Sequence, residues 1–532
     1  MRAMLRQPGW FWLACVAAVL VASIVGRPDI PIDETRYVSV AWEMWSGGDW
    51  LVMHRNGIPY HHKPPLLFWL IGLGWGAFGV NDWWPRAISA IFSLACLGLT
   101  AAIARRLWPQ EEGVGVRAGW LLLGGIFWLF FSSAVIFDVM LTTFVLLALL
   151  AGLRSWQGER RGTWGLFGLA IGLGVLAKGP VVLLHVLPPL LLAPWWGGRG
   201  RFGRSWYAGI GLGFLLGAAI ALAWAIPAGI HGGEEFRRAI FWGQTADRVS
   251  GALAHKQPVW FYLAALPLLL FPWFFWGGSW QALLAALRDR LDVGVRFCLA
   301  WVLPAFVGFS LAGGKQAHYL LPLLPVFALL PAFGWRRIGG VGRIAALPLA
   351  LALAALGLVF FVSPGWAGKM WFAPYVGGSW QIGGVMLVVL AMVTMLVVRG
   401  ELALPRMAII STVLVTIVLL AFLRPLAPIF DMAPLAARLK VLEEQGVPVA
   451  HASAYNDQYQ FYGRLQRPLE EISRAEIVGW LDAHPQGRVV VYVKKASEAE
   501  AVGAEFWHPY LDGAVLLVDG EAARRLPPGR SE

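Results

Sequence analysis

Charge and cysteine are what this chain has least of. Only 14% of its 532 residues are charged, and three are cysteine. Cys15, Cys96 and Cys298 all lie inside apolar runs, with no CxxC or other metal-ligand spacing. Neither a disulfide framework nor a thiolate metal site is therefore indicated. No Gly-rich nucleotide fingerprint, low-complexity tract or convincing internal repeat occurs. What is abundant is apolar. Hydrophobic residues make up 58% of the chain, and the mean hydropathy is +0.63. With repeated apolar runs near 20 residues, that composition predicts a polytopic α-helical membrane protein. Thirty tryptophans suit it, because indole rings favour the headgroup layer. The net charge of +12 does not indicate nucleic-acid binding. The basic residues sit mostly in short loops between apolar runs, which is an orientation signal.

Thirteen apolar runs read as spanning: 10–26, 86–104, 117–134, 138–153, 164–177, 180–195, 206–227, 258–281, 294–312, 318–334, 343–363, 380–398 and 407–423. The first resembles a signal peptide but is read as an uncleaved helix, because many spans follow. The run 65–80 is short and carries four glycines. Reading it as juxtamembrane or re-entrant puts Arg105, Arg106, Arg154, Arg161, Arg336, Arg337, Arg399 and Arg406 on the N-terminal side of the bilayer. That is a consistent cytoplasmic face. The expected organisation is a membrane domain, 1–425, with an outer first loop at 27–85. A small extramembrane α/β domain follows at 426–532. There, helices are expected at 433–444 and 473–483, with strands at 447–452, 488–493 and 514–518.

With that topology, the membrane-edge ionisable residues collect on the outer face: Asp33, Glu34, Arg36, Lys63, Asp138, Lys178, Arg248, Lys256, Lys315 and His318. Ionisable groups at a bilayer are costly and usually functional. Asp33 and Glu34 open an expected surface helix, 33–45, ended by Ser46-Gly47-Gly48. Acidic residues in a first turn are stabilised by the helix dipole; a general-base or charge-stabilising role is the functional alternative. Lys63 precedes Pro64-Pro65, which fix the backbone after it. That suits a positioned cation for a phosphate, although an edge lysine is also a snorkelling anchor. His61 and His62 are metal-ligand types, but adjacent side chains seldom point at one ion; a divalent metal ion is a candidate at His62 only.

Asp138 stands in SSAVIFDVMLTTF, and either a lysine partner or catalysis accounts for a carboxylate there. Lys178 ends a span at LAKGP, where a dipole partner is the plain reading. The loop 228–257 carries Arg237, Arg238, Arg248 and Lys256, and arginine suits phosphate. KQAHYLLPLLP, 315–325, puts His318 and Tyr319 at the mouth of a span, where a tyrosine is commonly an interface anchor.

Taken in order, IDETRY (32–37), GDW (48–50), NGIPYHHKPPLLFW (56–69), the Asp138 segment, LAKGP and KQAHYLLPLLP resemble one family. It is the GT-C glycosyltransferases of the aminoarabinose lipid A transferase and protein mannosyltransferase-like superfamily. NDQYQFYGRLQRP, 456–468, is similar to the start of that family's periplasmic domain. The resemblance implies an inverting transfer, on the periplasmic side of the bacterial inner membrane, from a polyprenyl-phosphate-linked sugar. The acceptor would be lipid A or another envelope glycolipid. It implies Asp33 as catalytic acidic residue, with Glu34 beside it, and Asp138 as the second functional aspartate. It implies Lys63 and Arg248 as holding the lipid phosphate and Tyr319 near it; Lys178, Lys256 and His318 join them as candidates for the lipid phosphate. Aminoarabinose transferases usually carry Glu before Lys-Pro-Pro, in a metal site; here that position is His62. A protein O-glycosyltransferase on the same scaffold is the alternative enzyme. A lipid-linked sugar transporter is less favoured, since the inverted repeats and mid-membrane broken helices of such proteins are not evident.

Overall fold

The computed structural model describes residues 8–526 apart from 160, 199–201, 244–255 and 369. Among these, nine helical runs are long and apolar enough to cross a membrane. They include Pro8–Gly26, Trp83–Leu107, Asp138–Trp156, Arg204–His231 and Ala373–Val397. Their outward faces stay apolar: Leu212, Leu215, Leu351 and Met392 are each 60% exposed or more. Exposed leucines at this density suit lipid, not water.

Nine of the thirteen expected crossings take that form; the other four are shorter or broken. The run 117–134 divides at Gly124-Gly125 into Val114–Leu123 and Ile126–Phe131. The run 164–177 is the 16-residue helix Thr163–Lys178. The run 180–195 divides into Val182–Leu191 and Ala193–Trp196, where Pro188 and Pro189 withhold two backbone donors. The run 258–281 is interrupted between Phe261–Leu269 and Gly277–Arg288, around Pro272.

The first loop is structured. A helix runs over Asp33–Gly47, and Gly48 ends it with φ of 73°, its N–H reaching the Met44 carbonyl at 3.0 Å. Glycine takes that left-handed position without a side-chain clash. A two-residue hairpin, β1 (His54–Arg55) with β2 (Ile58–Pro59), follows. The 13-residue helix Leu66–Phe78 then packs Leu67, Phe68, Ile71 and Trp75 against Val40, Ala41 and Met44 of the first helix. At about 1.5 Å per residue it is near 20 Å long, short of a bilayer core.

Beyond Ala433–Glu444 the chain forms a five-stranded sheet of order β4-β3-β5-β7-β6. Its strands are β3 (Val449–Ala452), β4 (Glu470–Ile472), β5 (Arg488–Val493), β6 (Phe506–Tyr510) and β7 (Gly513–Val518). β4, β3 and β5 are parallel, and β7 joins antiparallel to β5 and β6. Val489, Val491 and Leu516 face one core; Val490 and Leu517 face another with Leu435 and Leu439 of the preceding helix. Burial on both faces explains why RVVVYV is continuously apolar.

This sheet region docks on the first loop. Trp42 donates to the Leu465 carbonyl at 2.9 Å, and Asn56 exchanges two bonds with the Leu469 backbone at 2.8 and 2.7 Å. Trp75 stacks on Phe461 with centroids 5.3 Å apart.

Candidate active site beside the first loop

Two consecutive carboxylates open the Asp33–Gly47 helix, and successive residues on a helix point about 100° apart. Here the two directions have opposite surroundings. Glu34 is buried. It pairs with Arg27 and accepts the backbone N–H groups of Ile30 at 2.9 Å and Val135 at 2.7 Å. Arg86 lies alongside, bonded to Asp29 at 2.7 Å and to the Ser23 and Arg27 carbonyls, and Tyr462 donates to the other Asp29 oxygen at 2.6 Å. Burial alone would raise the Glu34 carboxyl; the charges and hydrogen bonds of its neighbours, Arg27 foremost, outweigh it and hold the group below its ordinary range. Its oxygens are engaged by Arg27, Ile30 and Val135, so the geometry gives it an anchoring task.

Asp33 faces the other way. Its side chain is 45% exposed, paired with Arg36 and 3.4 Å from the Tyr37 hydroxyl. The Tyr37 ring meets Phe137 edge-on at 4.9 Å. The Lys63 ammonium lies 5.9 Å from both ring centroids, where a cation is attracted to π faces. Lys63 thus sits between the Asp33 helix and the residue before Asp138.

Asp138 begins the helix Asp138–Trp156, and Lys178 ends the helix Thr163–Lys178. Each charge complements its helix dipole, and the two form a buried ion pair. Lys178 lies 4.4 Å over the Tyr319 ring, and His318 Nε2 is 3.8 Å from Asp138. The charges of Asp138, Lys178, Asp33 and Lys63 all act on His318. Residues from five separate stretches therefore converge on one place.

Other candidates lie apart from that cluster or outside the described residues. Lys256 is exposed, and its backbone bridges to Gly314. Lys315 donates to the Gln257 and Ala312 carbonyls at 2.8 and 2.6 Å, which ties down the turn before His318. Arg248 lies outside the described residues. His62 lies in a basic setting. Its neighbours His61, Arg36, Lys63 and Arg55 are basic, and burial with those charges pushes its imidazole down to about 4. Among the described residues no three His, Cys, Asp or Glu side chains group as a metal set.

Sequence reasoning missed the Arg27–Glu34 and Arg86–Asp29–Tyr462 network. Two signals were available: Arg27 and Asp29 crowded into GRPDIPIDE just before Asp33, and an arginine in the first turn of an apolar helix.

Comparison with known proteins bears on the family and the fold. A model of the dolichyl-phosphate-mannose-protein mannosyltransferase family matches residues 62–228, the stretch holding Lys63, Asp138 and Lys178. An undecaprenyl phosphate-alpha-4-amino-4-deoxy-L-arabinose arabinosyl transferase of Pseudomonas fluorescens is 33% identical over 316 residues, 56% of this chain and 54% of that protein. One from Edwardsiella ictaluri is 30% identical over 351 residues, 63% of this chain and 61% of that protein. The chain thus spans little more than half the length of the curated relatives it matches. The crystal structure of ArnT from Cupriavidus metallidurans bound to undecaprenyl phosphate superposes with a TM-score of 0.75, covering 98% of this chain and 100% of that one at 19% identity. Its apo form gives 0.74. At that identity the likeness is one of fold.

Proposed function

We propose that this chain is a membrane glycosyltransferase of the GT-C kind and transfers a sugar from a polyprenyl-phosphate donor to an envelope glycolipid such as lipid A, a reading supported by the matching family model, the similar arabinosyl transferases and the shared fold. The observation that carries the proposal is the convergence of an open carboxylate, Asp33, with Lys63 and the buried Asp138–Lys178 pair. We place the reaction on the periplasmic face of the inner membrane, with the N-terminus cytoplasmic.

The chemistry follows from the charges. The bond from the sugar's anomeric carbon to the phosphate oxygen breaks, and polyprenyl phosphate leaves with the electron pair. Lys63 offsets the charge that builds on the phosphate, with Arg248 the candidate second cation. An acceptor oxygen attacks from the opposite face and inverts the anomeric centre. Asp33, open on the rim, takes the proton of an acceptor hydroxyl or orients an acceptor phosphate. The Asp138–Lys178 pair fixes Tyr319 and His318 around the donor end. Glu34 keeps the approach to Asp138 in place through Val135.

A protein acceptor is the second reading, favoured by the protein mannosyltransferase description of the matching family. One assay separates the two. Purified protein is given polyprenyl-phosphate sugars with lipid A or with peptide acceptors, and Asp33→Asn is compared. Transfer to lipid A, lost in Asp33→Asn, is the expected result. Transfer to peptide alone supports the second reading, and full activity of Asp33→Asn contradicts the Asp33 assignment.

A further inference from the structure

Where the sheet region docks on the first loop, two carboxyl groups are brought together. Asp457 is fully buried beside the Glu43 carboxyl, and among the described residues neither of its carboxyl oxygens has a partner in good hydrogen-bond geometry, although the Asn56 N–H also acts on it. Its backbone carbonyl accepts the Ser39 hydroxyl at 2.6 Å, and the same hydroxyl accepts the Phe461 N–H at 3.1 Å. One turn further along that helix stands Glu43. Its two oxygens accept the Asn56 and Gly57 N–H groups at 2.7 and 3.0 Å. Glu43 is therefore furnished as a carboxylate and Asp457 is not.

We propose that Asp457 holds a proton at neutral pH, donates it to Glu43, and through that carboxyl–carboxylate bond positions the helix that begins at Asp33. Two like charges this close in a buried site cannot both ionise without a large penalty. The surrounding groups do not remove that penalty. The hairpin contributes Arg55, which acts on Asp457, and His54, which acts on Glu43. The Tyr455 hydroxyl sits beside Asp457 on the sheet side, and Tyr60 feels its charge from the loop. Burial, then the Glu43 charge, pushes the Asp457 carboxyl well above its ordinary range, with Arg55 opposing. A protonated acid both satisfies itself and supplies a donor.

Asp457 titrates higher in the folded chain than in the unfolded one. Its contribution is complete below the ordinary carboxylate range and is lost as pH rises through the folded value. The docking is thus favoured by acid and loosened by alkali.

The test uses the full purified chain. Infrared spectroscopy at neutral pH should show the carbonyl stretch of a protonated carboxylic acid that is absent from Asp457→Asn. On raising the pH from mildly acidic to alkaline, the melting temperature of the unmodified chain should fall, while that of Asp457→Asn, whose amide still donates to Glu43, should stay level. Should Asp457→Asn fail to fold, Glu43→Gln serves, because removing the facing charge should shift the loss of that band to lower pH. Identical protonated-carboxyl bands with and without the variant, or the same pH dependence in both, overturns the proposal. Its effect on transfer rests on the Asp33 reading: kcat should fall with alkali in the unmodified chain and hold in Asp457→Asn. If Asp33→Asn proves fully active, the kcat arm lapses while the band and melting results still decide the shared proton.

Discussion

Asp33 and Glu34 are neighbours in the chain with opposite places in the fold. The first side chain is 45% exposed beside Lys63; the second is 6% exposed and bound to Arg27 and two backbone amides. One carboxylate is left accessible because the next one is spent on holding the loop. Glu34 and Arg27 tie the start of the helix to residues 133–135, and Arg86, Asp29 and Tyr462 extend that tie to the sheet region. An acid can act on a substrate only if its support does not move, and this network is that support.

Glu34→Gln should have the largest effect, because it leaves Arg27 short of its counter-charge in a buried site. A loss of about 3–5 kcal/mol is expected, read as a lower melting temperature. Because the Glu34 carboxyl is held below its ordinary range, its contribution is present above that range and is lost as pH falls through the folded value. Acid should therefore destabilise the unmodified chain more than Glu34→Gln. Lys63→Ala comes next. Removing one charge-assisted contact, worth about 1.5–3 kcal/mol, should raise the KM for the polyprenyl-phosphate donor by roughly 10- to 100-fold, with the melting temperature little changed. Tyr462→Phe removes one hydrogen bond to the Asp29 carboxylate and should cost about 1.5 kcal/mol or somewhat more, measured by thermal unfolding. His62→Asn is the smallest. With its imidazole already neutral and pushed down to about 4, replacing it should leave the pH–rate profile unchanged between about pH 5 and pH 8, the window where an unperturbed histidine titrates.

Much of this was legible in the sequence, for identifiable reasons. The helix expected at 33–45 runs over Asp33–Gly47, because Tyr37, Val40, Ala41 and Met44 repeat at helical spacing and Gly48 stops them. The strands expected at 447–452, 488–493 and 514–518 lie at Val449–Ala452, Arg488–Val493 and Gly513–Val518, since strands buried on both faces are continuously apolar. β4 and β6 were missed. EEI is polar and three residues long, and FWHPY carries a proline, so neither has a strand's signature. The broken membrane helices were read as continuous because hydropathy averages over the Gly124-Gly125 and Pro188-Pro189 interruptions. Asp33, Lys63, Asp138 and Lys178 could be placed on one face by topology. Their meeting depends on the Tyr37–Phe137 contact and the Val135 amide, and these long-range partners leave no local pattern.

In this proposal Asp33 acts while Glu34 holds. The most direct measurement is the transfer rate of purified Asp33→Asn and its melting temperature, taken beside those of Glu34→Gln. For Asp33→Asn a rate about 10²- to 10⁴-fold lower is expected, with the melting temperature preserved. An Asp33→Asn protein that melts early, or one that transfers at the unmodified rate, would contradict the proposal.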